Sequence, residues 1–87
     1  MDREFCYNLI RHIGTISISR REGKRWRKEI NVVSWNHKDP KIDIREWTED
    51  HEMMKKGITL TGTEMRELYK ILYYYYKSIE EENETTA

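Results

Sequence analysis

Cysteine is nearly absent: Cys6 stands alone, which excludes an intramolecular disulfide framework and any cluster of thiolates around a metal. Proline occurs once, at Pro40, and the four glycines are scattered, so no flexible linker divides the 87 residues and a single domain is expected. No internal repeat is visible. Long apolar runs are missing too, and nothing approaches the roughly 20 residues that span a bilayer. Asp2, Arg3 and Glu4 do not make the basic stretch and apolar run of an export signal. The expectation is a protein of the reducing cytoplasm with no membrane partner. Net charge is also lacking, with 16 basic and 16 acidic side chains, which by itself argues against a partner made of phosphates.

What is present changes that reading. Met1 to Arg45 holds 11 basic and 6 acidic residues, and Glu46 to Ala87 holds 5 basic and 10 acidic. The N-terminal half therefore carries a positive field. Hydrophobic and charged residues each make up 37% of the chain, and the mean hydropathy is −0.98. A chain this short and this polar has few groups for a core of its own, so a second copy is expected to complete it.

Alternating and β-branched residues from Phe5 to Ser19 predict a long strand, with a change of apolar phase at Gly14 that suits a bulge or bend. Arg20 to Lys28 reads as a basic loop with Gly23 at its turn, and Glu29 to Trp35 as a second strand. After the punctuation of Asn36 to Pro40, Ile42 and Ile44 alternate with Asp43, Arg45 and Trp47 as a third strand. Thr48 to Met54 is an acidic loop, and Gly57 to Leu60 a short fourth strand. Thr61 and Glu64 form a capping box that starts a helix at Gly62. Along it Met65, Leu68, Tyr69, Leu72, Tyr76 and Ile79 make one stripe, expected to cover the sheet. Tyr73, Tyr74 and Tyr75 widen the apolar surface beyond that stripe, which points to a dimer interface including Leu68, Leu72, Tyr73, Tyr75 and Tyr76. The glutamates from Glu80 oppose the helix dipole, so residues 1–79 are expected to be the domain and 80–87 an acidic disordered tail. The fold class is α+β, four strands and then one long helix.

Several side chains have both a functional and a structural reading. If the helix covers Ile42 and Ile44, Trp47 faces out beside Arg45 and can stack on a base, or else it packs at an edge. Trp35 can neighbour Trp47 as a second ring of a platform, or serve as a core aromatic opposite the helix. The cations Arg20, Arg21, Lys24, Arg25, Arg27 and Lys28, interleaved with Trp26, suit a phosphate backbone or simple solvation. Lys55 and Lys56 before Gly57 offer a second patch. His12, His37, His51 and Cys6 lack the spacing of zinc ligands, and no nucleophile elbow or phosphate loop is present, so neither a metal, a cofactor nor catalysis is expected. Met53 and Met54 read as packing.

Taken together, PKIDIREW, the acidic TEDHEMM, KKGITLT and GTEMREL resemble the positive cofactor four domain, also called the transcriptional coactivator p fifteen type, and most closely its compact bacterial members. The resemblance runs from about Phe5 to Leu72. It implies a homodimer of curved four-stranded antiparallel sheets packed through their helices, with channels for single-stranded DNA of little sequence preference. It also implies that Arg45 contacts phosphate, that Lys56 and Gly57 match the family's lysine and glycine before the fourth strand, and that Trp47 and Trp35 fall at or beside its stacking aromatics.

The expected function is sequence-nonspecific binding of single-stranded DNA, or RNA, by a homodimer in transcription, replication or repair. Trp35 and Trp47 would stack on bases, with phosphates held by Arg11, Arg45, Lys38, Lys41, Lys56 and the basic segment Arg25, Trp26, Arg27 and Lys28. The alternative is a protein-interaction module using the basic hairpin and the tyrosine-rich helix.

Overall fold

The computed structural model describes residues 6–86, with side chains through Asn83. The expected strand start at Phe5 and the charged Asp2, Arg3 and Glu4 lie outside the described residues, as does Ala87. One antiparallel sheet contains β1 (Tyr7–Arg21), β2 (Lys24–Trp35), β3 (Lys41–Thr48) and β4 (Ile58–Leu60) in the order of the chain, and α1 (Gly62–Thr86) follows. The α+β class and the order of elements are those expected. Among the described residues no helix is long and apolar enough to cross a membrane.

The basic stretch is not a loop. Glu22 and Gly23, with φ of 57° and 72°, make a two-residue turn, and a pair of left-handed residues matches the twist of two paired strands. Both strands therefore run to the turn, pairing Arg21 with Lys24 and Arg20 with Arg25. Strand alternation then sends Arg25 and Arg27 to one face of β2 and Trp26 and Lys28 to the other.

The register of β1 on β2 slips between Leu9 and Arg11, between His12 and Gly14, and between Thr15 and Ser17. The bend expected near Gly14 is thus one of three bulges, whose extra residues are Ile10, Ile13 and Ile16. Each bulge increases local twist and bends the strand. Curvature shows in the aromatic positions. Arg27 lies opposite Trp47, eight residues before Trp35, a span of about 26 Å on a straight strand. Yet the Trp35 and Trp47 ring centroids are 6.5 Å apart. The sheet curls toward the face that carries both tryptophans.

On the opposite, convex face, Ile30 pairs with Ile44, and Val32 with Ile42. The expected capping box closes α1 in both directions: the Thr61 N–H donates to Glu64 Oε1 at 2.9 Å, and the Glu64 N–H donates to Thr61 Oγ1 at 3.1 Å. The stripe, however, does not cover the sheet as expected. Leu72 is 54% exposed and Tyr76 60%, because β4 delivers the helix at the sheet's margin, where it meets β3 and β4 sparsely and does not pack on β1 or β2. An open cleft of about 450 Å³ remains between Ile13, Ile30, Ile42 and Ile44 on the sheet and Met65 and Leu72 on the helix. The radius of gyration is 16.5 Å, against about 12 Å for a compact chain of this length.

The helix also passes the boundary expected at Ile79 and runs to Thr86. Glutamate is a good helix former, and Lys77 pairs with Glu80 at 3.5 Å, so propensity and pairing outweigh the unfavourable dipole across Glu80 to Glu82.

Candidate nucleic-acid interface

The concave face rests on two buried carboxylates. Asp43 on β3 is 0% exposed and takes both prongs of Arg45, Nε to Oδ2 at 2.7 Å and Nη2 to Oδ1 at 2.8 Å, with the Thr59 hydroxyl donating at 2.9 Å. Arg45 Nη1 reaches the Lys55 carbonyl at 3.4 Å, and its guanidinium lies 4.6 Å from the Trp35 ring centroid. Such a bidentate, stacked arrangement suits arginine and not lysine. Gly57 passes directly over it: a Cβ there would come 2.5 Å from the Ile44 carbonyl oxygen and 2.9 Å from Arg45 Nε, so only glycine fits.

Glu29 on β2, 2% exposed, is the second carboxylate. Its Oε1 accepts from Asn31 Nδ2 at 3.0 Å and His51 Nε2 at 2.9 Å, with His12 Nδ1 at 3.7 Å. His12 Nδ1 also lies 2.8 Å from Asn31 Oδ1. Burial alone would push the Glu29 carboxyl up. The Asn31 and His51 hydrogen bonds, with the charges of His51 and His12, overcome it and hold the group below a glutamate's ordinary value. Two histidines far apart in sequence thus meet at one carboxylate. Among the described residues no group of His, Cys, Asp or Glu is arranged to hold a metal.

Above these acids sits an aromatic cluster. Tyr7 contacts Trp35 at 5.8 Å and Trp47 at 5.2 Å; Trp47 contacts His51 at 5.4 Å; and Trp35 lies within 9° of parallel to Trp47. The loop after β3 turns back, bridging Met54 to Trp47, and the Tyr7 hydroxyl donates to the His51 carbonyl at 2.6 Å. The Thr48 hydroxyl and the Glu52 N–H both reach Asp50. Donation from the Glu52 N–H and then the Thr48 hydroxyl holds the Asp50 carboxyl below its ordinary value. At the rim Glu49 Oε2 lies 3.3 Å from both Arg25 and Arg27. Glu46 is likewise held low, chiefly by the Arg21 hydrogen bond at 2.6 Å.

With this geometry in place, comparison with known proteins is decisive. A model of the family described as Transcriptional Coactivator p15 (PC4) matches residues 23–71, more than half the chain and all of β2, β3 and β4. The chain belongs to this family. An uncharacterized protein of Treponema pallidum (strain Nichols) is 41% identical over 69 residues, covering 79% of this chain and 78% of that protein. The p15 match begins at the hairpin turn, so β1, with its three bulges, lies outside it.

This p15 domain places the expected site residues unequally. Trp35, Lys41, Arg25, Arg27, Arg45 and Trp47 share the concave face by register, and Lys38, Lys56 and Gly57 lie exposed in the flanking connections. Arg11, paired with Val32, falls on the convex face with Trp26 and Lys28. Trp26 is 1% exposed, its ring 4.8 Å from Lys55 Nζ and 5.9 Å from the Arg21 guanidinium.

Two expectations about exposure are corrected. Trp47 is 0% exposed, sealed not by the helix but by Tyr7, Trp35, His51 and the returning loop; Trp35 is half-buried. Arg45, also half-buried, commits most of its donors to Asp43 and Lys55. Sequence reasoning did not assign Tyr7, His12, Glu29, Glu49 or His51 to this face. Tyr7 reaches Trp35 only because three bulges shift the register by three residues, and the local pattern announces just the one near Gly14. Leu68 is half-buried, and Leu72, Tyr73, Tyr75 and Tyr76 stand exposed along the helix.

Proposed function

We propose that this p15-family protein is a homodimeric binding protein, not an enzyme, that holds single-stranded nucleic acid across its concave face in the cytoplasm. The observation that carries the reading is the shared placement of Arg20, Arg25, Arg27 and Lys41 with Trp35 on that face by register. Cations for a flexible phosphate backbone thus stand beside an aromatic ring that a base can meet. Buried Asp43 and Glu29 are satisfied internally by Arg45 and His51, so Glu49 is the carboxylate that opposes the rim cations on this face. Trp47 acts as the packed support under Trp35, and Arg45 as the strut that orients it. Little sequence preference follows, because every nucleotide offers a phosphate and a π-face, while discrimination needs hydrogen bonds to base edges.

Dimerisation is supported by the apolar surface one chain leaves open. The isoleucine cleft on the convex face and the stripe through Leu72 and Tyr76 are parallel demands for a partner, and a second copy supplies both. Exposed large hydrophobics of this number on one small chain mark an interaction surface.

Fluorescence anisotropy with labelled oligo-dT, duplex DNA and RNA at two salt concentrations tests the binding. The expected result is tighter binding of single strands than of duplex, and a log-log salt slope of about −0.7 per phosphate contacted. Equal affinity for duplex, or no salt dependence, overturns the reading.

A further inference from the structure

We propose that Arg25 and Arg27 form a phosphodiester site which Glu49 occupies from within the chain, so that nucleic acid binds there by displacing this carboxylate. The inference rests on the single-strand reading above and names the residue that regulates it. One carboxylate oxygen, Glu49 Oε2, lies 3.3 Å from Arg25 Nη1 and 3.3 Å from Arg27 Nη2. Two guanidiniums converging on one anionic oxygen is the arrangement that also binds a phosphate oxygen. Arg27 retains a buried Nε–H with no acceptor among the described residues, a donor that a ligand with more oxygens can satisfy.

The position of Glu49 is imposed by its loop. It follows Thr48 directly, and the next residues are tied down by the Thr48 hydroxyl to Asp50 at 2.7 Å, the Thr48 N–H to the Met53 carbonyl at 3.0 Å, and the His51 N–H to the Thr48 carbonyl at 2.9 Å. A bonded turn thus presents the carboxylate to β2. Glu49 also lines two hollows at once. One, of about 280 Å³, includes Lys24, Arg25 and Met53; the other, of about 200 Å³, includes His12, Arg27, Glu29 and His51. Glu49 is thus common to both linings, with Arg25 in one and Arg27 in the other, and its displacement would open one toward the other.

Exchange is feasible because Arg25 and Glu49 are exposed and Arg27 is half-buried at the rim, where ion pairs are weak and screened. A polyanion brings the same charge to the arginines together with neighbouring phosphates for Arg20, Lys24 and Lys41. The internal carboxylate then sets a threshold: isolated anions compete poorly, while an extended strand wins.

The test compares oligo-dT binding by wild type, Glu49→Gln and Glu52→Gln. Glu52 is exposed in the same loop and lines the same hollow as Arg25, and Arg25 and Arg27 pair with Glu49 instead, so its removal deletes an equal nearby charge without breaking the ion pairs. Glu49→Gln is expected to tighten binding about threefold to tenfold at low salt, Glu52→Gln by less than about twofold, and Arg25→Ala with Arg27→Ala in the Glu49→Gln background to erase the gain. Equal effects of the two glutamine variants, or no gain from Glu49→Gln, overturn the proposal. A parallel titration with inorganic pyrophosphate follows the Arg25 and Arg27 Nε–H resonances. If no variant binds oligo-dT, the single-strand reading falls. Larger pyrophosphate shifts at these two arginines in Glu49→Gln still uphold the anion site, and unchanged resonances overturn it.

Discussion

Gly57 lies so close over Arg45 that a methyl group on its Cα would press into the Arg45 side chain and the Ile44 carbonyl. The contact holds β4 against β3 where the Arg45 guanidinium is clamped on Asp43. Gly57→Ala is expected to be destabilising at or above the upper end of the roughly 1–3 kcal/mol typical of overpacking. Urea denaturation followed by circular dichroism measures it, and a loss below about 0.5 kcal/mol would show that the loop shifts freely.

Trp47→Ala should act on stability before it acts on binding. The indole is wholly enclosed by Tyr7, Trp35, His51 and the returning loop, and truncating a buried tryptophan costs about 3–5 kcal/mol. A variant that keeps wild-type stability while losing oligo-dT affinity would show instead that Trp47 meets bases directly.

Glu29 links this face to pH. Its folded-state carboxyl titrates below the ordinary value, so its contribution to stability is present above the unfolded-state value. It is lost as pH falls through the lower, folded-state one. Stability measured from about pH 7 to about pH 3 should decline over that acid range, and Glu29→Gln should flatten this limb of the curve. An unchanged acid limb in the variant removes Glu29 as its source.

Leu72 sits on the helix facing the isoleucine cleft, where a second copy is expected. Leu72→Asp should shift sedimentation equilibrium from dimer to monomer and weaken oligo-dT binding through lost avidity. A wild-type protein that sediments as a monomer at micromolar concentration would remove the interface.

Local periodicity carried much of this structure. The alternation through Ile42 and Ile44, the short strand ending at Leu60 and the Thr61–Glu64 box each depend on neighbours within a few residues, and each is where the pattern put it. That the hairpin's strands run right up to its turn is not legible, because Arg and Lys on both sides of Glu22 and Gly23 tolerate either face of a strand and show no alternation. The sealing of Trp47 depends on Tyr7 meeting His51, 44 residues away, and on a curvature made by bulges. The helix outruns the end that its dipole predicts because the Lys77–Glu80 pair and the helix propensity of glutamate offset the dipole.

The three bulges have a consequence beyond shape. β1 is a long outer strand with isoleucines open to water, the kind of margin on which another chain could lay itself down and start a fibril. Extra residues at Ile10, Ile13 and Ile16 throw its free amides and carbonyls out of regular repeat. An incoming straight strand can match only a few consecutive groups before losing step, so the same irregularity that bends the sheet guards its border against templated growth.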